Sequence, residues 1–466
     1  MSSSHNCDGS NSKRQNSSMV DDVVSSHTTS LSIRHLMPMR RIQWQLEDAQ
    51  QDHSSIMTLE FIDVHVFPLI AKMIQETLSK KKFHHVTLIR CFDRVDLVVQ
   101  AAMKSTKSLT LERCNLNTRY QNTKETPSFV ELLGHELSKF TTVIKSLRLL
   151  SHSFGSNHPQ DAIALGQGLA LTATLSTLDL SDCRFLQNDN GENWRNILQG
   201  LKYNSTIHNL NLNSCGLLDE QLADMIEQLQ DHPRLEHLDL SYNFIDSQAC
   251  FAIASLLLRN QLQSLTLKGT RQPFDVRPLI TSLESNTSLI SLSLEENSLP
   301  QLQLIQFTKV IRVNQRLKHL ILLPRGHCRM ERNGLQEFLH AMETNSTLER
   351  LELSEDVLDA DVALILRQIL FLTLWNQAGI LRLLRRQQQQ QKQKQQQLFD
   401  QRQEQPTPFG LWPFALSRLG SHIVALCRST RNAQKVAGIS FLNQVEATAI
   451  FGILTNAPHL VSSVVQ

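Results

Sequence analysis

The chain has 466 residues, and its 46 Lys and Arg against 44 Asp and Glu leave a net charge of +2, which gives no global pull toward nucleic acid. Eight cysteines, at 7, 91, 114, 183, 215, 250, 328 and 427, form no C-x-x-C pair, so the closely spaced ligands of a zinc site are missing and reduced, intracellular thiols are expected. Phosphate-loop, H-E-x-x-H, G-x-S-x-G and G-x-G-x-x-G motifs are all lacking, so no catalytic residue, metal or cofactor is expected.

Residues 1–53 are rich in Ser, His, Asn and Gln and lack sustained apolar periodicity, the composition of a disordered segment. The first 30 hold no apolar run long enough for a signal peptide, which predicts a cytoplasmic protein, with the nucleus as an alternative. Residues 54–143 read as an N-terminal cap followed by degenerate repeats. Met57, Leu59 and Phe61 alternate as in a strand, and Leu69, Ile70, Met73, Ile74 and Leu78 recur as on a helix. Val86 with Leu88, and Leu109 with Leu111, then mark two further strands, the second leading to Cys114. An insertion is expected between Tyr120 and Ser128.

Residues 144–358 carry a repeat. Its plainest copy is L-E-H-L-D-L-S-Y-N-F-I from Leu235 to Ile245, which matches L-x-x-L-x-L-x-x-N-x-L. The second leucine recurs at Leu147, Leu178, Leu210, Leu238, Leu265, Leu292, Leu320 and Leu351. Alternation in a strand turns Leu238 and Leu240 inward and Asp239 outward. Three residues after the last strand leucine stands a turn residue, Asn243 or Asn297 in two copies and Cys183 or Cys215 in two others. A small hydrogen-bonding group there can satisfy backbone freed as the strand ends. Leu222, Met225, Ile226 and Leu229 then mark an amphipathic returning helix. Asn204, Asn286 and Asn345 share one slot before the next strand, and each opens a glycosylation sequon. The slot predicts instead a helix end, with Asn in the left-handed conformation. Thr270 and the stretch L-P-R-G-H-C after Leu322 are irregular turns.

Beyond the repeats, residues 359–384 form a strongly apolar capping helix interrupted by Arg367 and Gln368, which argues against a membrane span. Residues 385–408 are a Gln-rich linker, either a solvated extension of that helix or a flexible segment. In residues 409–466, Phe409, Leu411, Trp412, Phe414, Leu416 and Leu419 open a helical C-terminal segment. From residue 360 onward 11 Lys and Arg face 4 Asp and Glu, a net +7 that leaves −5 for the rest.

The repeats resemble the ribonuclease-inhibitor type of leucine-rich repeat, whose units are of this length and carry a full helix. That resemblance implies an α/β fold: a right-handed leucine-rich-repeat solenoid or horseshoe, with parallel inner strands, outer helices and a helical C-terminal cap. Asn376 and Gly379, followed by Gly410, Leu411, Trp412 and Pro413, resemble the C-terminal end of an uncharacterised algal leucine-rich-repeat family, whose Arg after the Gly is Ile380 here.

The outward strand positions form the candidate site. Asp179, Asn211, Asp239, Thr266, Ser293, Ile321 and Glu352 should stack into a ladder about 29 Å long at the ~4.8 Å spacing of parallel strands. Lys268 and Glu295 flank it. This predicts a monomeric, non-catalytic scaffold that binds a protein, a basic one if the acids dominate, with no nucleic acid and no membrane. A GTPase-activating protein, or an immune or ubiquitin-ligase adaptor, is the alternative.

Overall fold

The computed structural model describes residues 30–34, 37–51, 58–114, 128–154, 159–185, 192–270, 274–323, 325, 330–353 and 360–380, with isolated positions as far as 390. Among them strands and helices alternate, giving an α/β architecture with one 12-stranded sheet and twelve helices. Every neighbouring strand pair in that sheet is parallel, and the sheet order follows the chain order.

The register is that of the repeat. Leu147, Leu178, Leu210, Leu238, Leu265, Leu292, Leu320 and Leu351 pair in succession across the sheet. Leu31, Leu59, Val86 and Leu109 extend the same row toward the N-terminus. Leu238 and Leu240 are both buried, as strand alternation requires. Apolar faces of the helices close one continuous core from Ile33 to Leu372, because no single strand and helix could bury its apolar side alone.

Two expectations need correction at the N-terminal end. Within the segment read as disordered, Ser30–Arg34 is a strand paired with Thr58–Ile62, and Met39–Gln51 is a helix. Ile33, Ile42 and Leu46 anchor this unit in the core, so three well-placed side chains do what a compositional average conceals. Consequently the strand Thr58–Ile62 and helix Pro68–Lys80 lie second in the array, not at its end.

Helices Phe129–Leu137, Pro159–Leu171 and Glu192–Tyr203 approach one another through glycines. A Cβ on Gly166 would stand 2.2 Å from the Asn196 carbonyl oxygen, and one on Gly200 would stand 2.2 Å from that of Gly166. Gly134 and Gly168 are equally confined by backbone. Helix Ala360–Gln377 packs against helix Arg332–Thr344, and its Asn376 amide donates to the Leu348 carbonyl at 2.9 Å. The expected insertion at 120–128 falls mostly outside the described residues, as do residues 1–29, the Gln tract beyond 390 and the segment 409–466.

Candidate functional site: the outward face of the sheet

Two ladders of side chains fix the loops around the sheet. At the turn slot, seven side chains from Cys91 to Asn297 reach back to the carbonyl of the last strand leucine, or its equivalent, in the preceding repeat. Cys183 Sγ donates to Leu149 O at 2.9 Å, Cys215 Sγ to Leu180 O at 3.1 Å and Asn243 Nδ2 to Leu212 O at 2.8 Å. Cys91 and Cys114 make the same bond to Phe61 O and Leu88 O, each at 3.4 Å. His152, in this slot after Leu149, uses Nε2 to reach Leu111 O at 3.0 Å. His152 and Cys91 stand three residues after Leu149 and Leu88, so the same offset locates both, and an imidazole fills the slot as an amide or thiol does.

Burial sets the chemistry of these groups. It pushes the Cys183 thiol up to about 12 and Cys215 well above its ordinary value, so both remain protonated donors. Desolvation likewise lowers the His152 imidazole to about 4, keeping it neutral. Cys91, Cys114, Cys183, Cys215 and Cys250 are all buried free thiols. Among the described residues no group of three His, Cys, Asp or Glu side chains could hold a metal ion.

The residue before each turn slot from Val64 to Asn297 is left-handed. Asp63, Arg90, Arg113, Ser151, Asp182, Ser214, Tyr242, Gly269 and Glu296 all have positive φ. From this conformation the Tyr242 N–H reaches Lys268 O at 2.8 Å and the Glu296 N–H reaches Leu323 O at 2.7 Å, hydrogen bonds that offset the left-handed cost.

At the other strand end, Asn204, Asn286 and Asn345 are buried. Asn345 Nδ2 donates to Ile311 O at 2.7 Å, while Oδ1 accepts from the Thr347 and Leu348 N–H groups at 2.8 and 2.7 Å. The helix-end reading of this slot therefore describes its position, but the expected left-handed backbone is absent: Asn286 and Asn345 are extended, with φ −68° and −91°. The side chain, rather than an unusual φ, stitches the turn.

Between these ladders lies the outward column. Asp179, Asn211, Asp239, Thr266, Ser293, Ile321 and Glu352 are aligned across neighbouring strands. A depression of about 200 Å³ opens over Thr177, Asp179, Asn209, Asn211, His237, Asp239, Ser264 and Thr266. Asp179 and Ser293 are buried and the other column members half-buried.

The acids of this face are mostly paired within the chain. Asp179 accepts from Arg148 Nε at 3.0 Å and from the Ser181 N–H at 3.1 Å, besides the Ser181 hydroxyl. Lys268 lies 3.0 Å from Glu295 and 3.1 Å from Glu296, and these partners raise its pKa, Glu295 foremost. Glu352 is 2.5 Å from Arg350. Asp239 instead accepts from the Ser241 N–H and hydroxyl at 2.9 and 2.5 Å, with no salt-bridge partner among the described residues. The surface is therefore a mixed polar one in which, among the described residues, Asp239 is the column acid without a countercharge, because cations one repeat or two residues away meet the others.

No protein-family model matches the chain. "Capping protein, Arp2/3 and myosin-I linker protein 3" of Mus musculus is 28% identical over 226 residues, 45% of this chain and 16% of that protein. "NACHT, LRR and PYD domains-containing protein 14" of Mus musculus is 26% identical over 325 residues, 68% of this chain and 31% of that protein. The chain thus spans under a third of the length of either relative. Among solved structures, the tropomodulin C-terminal domain of Caenorhabditis elegans superposes with a TM-score of 0.30 at 16% identity, covering 35% of this chain and 97% of that one. Together with the repeat register, the two sequence matches support a relationship to leucine-rich-repeat proteins.

Proposed function

We propose that the chain is a non-catalytic interaction scaffold, a leucine-rich-repeat horseshoe whose outward sheet face binds a protein partner. The observation that carries this reading is the in-register polar column with its depression over Asn211 and Asp239, a recess offering amide donors, hydroxyls and a carboxylate with no countercharge among the described residues, on a rigid sheet. Strand-borne side chains fixed by their neighbours bind with little ordering cost. Asp239 favours a partner presenting a cationic side chain at this point. The relative whose name describes a linker of other proteins accords with such a role. Buried thiols held as hydrogen-bond donors suit a reducing, cytoplasmic compartment.

The test is affinity capture from native lysate with mass spectrometry, comparing wild type with Asn211→Arg/Asp239→Arg/Thr266→Arg. These half-buried positions tolerate the change in the free protein, so an unaltered melting temperature with loss of captured partners is the expected result. Identical partner sets from both proteins would overturn the reading.

A further inference from the structure

Where the chain enters its strands, one edge of the array is basic. The connections into strands His85–Ile89, Ser108–Glu112, Ser146–Leu150, Thr177–Asp179 and Asn209–Asn211, with the helix ends before them, are residues 80–85, 103–108, 136–146, 170–177 and 201–209. They hold eight lysines, no arginine and one acid, Glu136, which is buried and 2.5 Å from Lys139. Backbone hydrogen bonds set these connections side by side: the Ser108, Lys145, Ser176 and His208 N–H groups donate to the His84, Lys107, Lys145 and Ser176 carbonyls at 2.9, 2.7, 2.8 and 2.8 Å. Lys82, Lys104, Lys107, Lys145 and Lys202 are exposed and have no ion-pair partner among the described residues. Helix dipoles account for Lys104 and Lys202, which stand in last turns, but not for Lys82, Lys107 and Lys145, which lie outside helices. The next connection, residues 230–236, carries Asp231 and Glu236 and ends the patch.

Exposed apolar side chains stand among these lysines. Phe140 is fully exposed, and Leu171, Tyr203 and Val143 are 66%, 65% and 44% exposed. They gather at one end of three touching helices, where the Ser138, Thr172 and Asn204 N–H groups donate to the Gly134, Gly168 and Gly200 carbonyls at 3.2, 3.0 and 3.1 Å. The connection that carries Phe140, residues 138–145, is three residues longer than 172–176 and 204–208. It is nevertheless fixed: the Thr142 hydroxyl donates to Glu136 O at 2.5 Å and the Val143 N–H to Met103 O at 2.9 Å. An aromatic ring is thus held out into water against the hydrophobic effect.

We propose that this edge docks on the surface of a bilayer carrying anionic lipids, with Phe140, Val143 and Leu171 entering the headgroup boundary and the lysines meeting the anionic headgroups. Two observations favour a bilayer over nucleic acid, which also binds basic patches. Val143 and Leu171 are aliphatic, which suits acyl chains and offers no ring on which a base can stack. The cations are all lysines, point charges, whereas bidentate phosphate recognition favours arginine. Contact is peripheral, since no described helix is long and apolar enough to cross a membrane. Such docking departs from the sequence-based expectation of no membrane contact, because lysines scattered from Lys80 to Lys202 are gathered only by the fold. The outward sheet face, which lies on the strands themselves, is left open to a protein.

Flotation of the full chain with lipid vesicles tests it. Wild type should bind phosphatidylcholine vesicles containing about one third phosphatidylserine roughly tenfold more tightly than pure phosphatidylcholine, and added salt should release it. Lys104→Glu/Lys107→Glu/Lys145→Glu should weaken that binding about thirtyfold, and Phe140→Ser/Val143→Ser about tenfold. Both variants should melt as wild type does, since all five side chains are exposed. Failure of wild type to bind the phosphatidylserine vesicles, or full binding by the lysine variant, would overturn the proposal. So would full binding by the Phe140/Val143 variant, which with loss in the lysine variant would mark a nucleic acid or an acidic protein as the occupant.

Discussion

Tyr242 lies across Gly269 to reach Glu296. Its hydroxyl donates to the Glu296 carboxylate at 2.8 Å, two repeats along, and a Cβ on Gly269 would stand 2.4 Å from the tyrosine ring. The left-handed row that turns every repeat is therefore occupied by glycine where an aromatic ring passes over it, and Gly269 itself has φ +59°.

Gly269→Ala should lose stability on two counts, the left-handed backbone at about 1 kcal/mol and the clash with Tyr242. Urea denaturation should show a total on the order of 2–3 kcal/mol. In Tyr242→Ala the same glycine substitution should cost only the backbone part, so the double-mutant cycle should give a clear coupling energy. Additivity of the two changes would mean that the ring does not lie over Gly269.

The turn ladder predicts a graded response. Asn243 donates to Leu212 O and Leu240 O and accepts from the Leu217 N–H at 3.0 Å, all buried. Asn243→Leu leaves these groups unpaired and should cost about 3 kcal/mol or more. Cys215→Ala, which removes a thiol donor alone, should cost roughly 1 kcal/mol. Equal losses in thermal or chemical melting would contradict the hydrogen-bonding role of the slot.

His152 should make the array acid-sensitive. The folded state holds it neutral down to about 4, against 6.5 ordinarily, because burial penalises the charge. The unfolded chain therefore binds the extra proton between these values. Stability from this group is complete above about pH 6.5, falls as pH drops toward 4, and levels off below that. Relative to His152→Asn, which keeps an N–H donor without the titration, wild type should lose on the order of 3 kcal/mol between pH 7 and pH 4. Parallel pH profiles for the two proteins would exclude a neutral buried imidazole.

Asp179 and Asp239 occupy equivalent positions but should respond differently to reversal. Asp179→Lys places a cation beside Arg148 in a buried site and should lower the melting temperature by several degrees. Asp239→Lys meets no such neighbour and should leave melting nearly unchanged. A matched pair of melting curves separates them, and identical curves would show that the Arg148 contact contributes nothing.

Gly200→Ala tests the close helix contact. Its new Cβ would fall 2.2 Å from the Gly166 carbonyl oxygen, a backbone atom that cannot swing aside. Denaturation followed by circular dichroism should show a net loss of about 2 kcal/mol or more. Helix propensity alone acts the other way, favouring alanine over glycine by about 1 kcal/mol. A net gain of that size would mean that the two helices do not approach this closely.

Much of this was legible in the chain itself. Leucine spacing determined the parallel order and the register, because inward side chains must stack at one level for neighbouring repeats to share a core, and Leu147 through Leu351 do so. It also located the turn slot and the outward column, since both lie at fixed offsets from the strand leucines. Tertiary structure decided what those positions do. Arg148 meets Asp179 only because the preceding strand lies beside it, Tyr242 reaches Glu296 only over two repeats, and the Asn345 side chain stitches its turn only because the preceding repeat supplies the Ile311 carbonyl. The strand Ser30–Arg34 was hidden for the same reason: its burial depends on a neighbour already in place, which composition along one segment does not record.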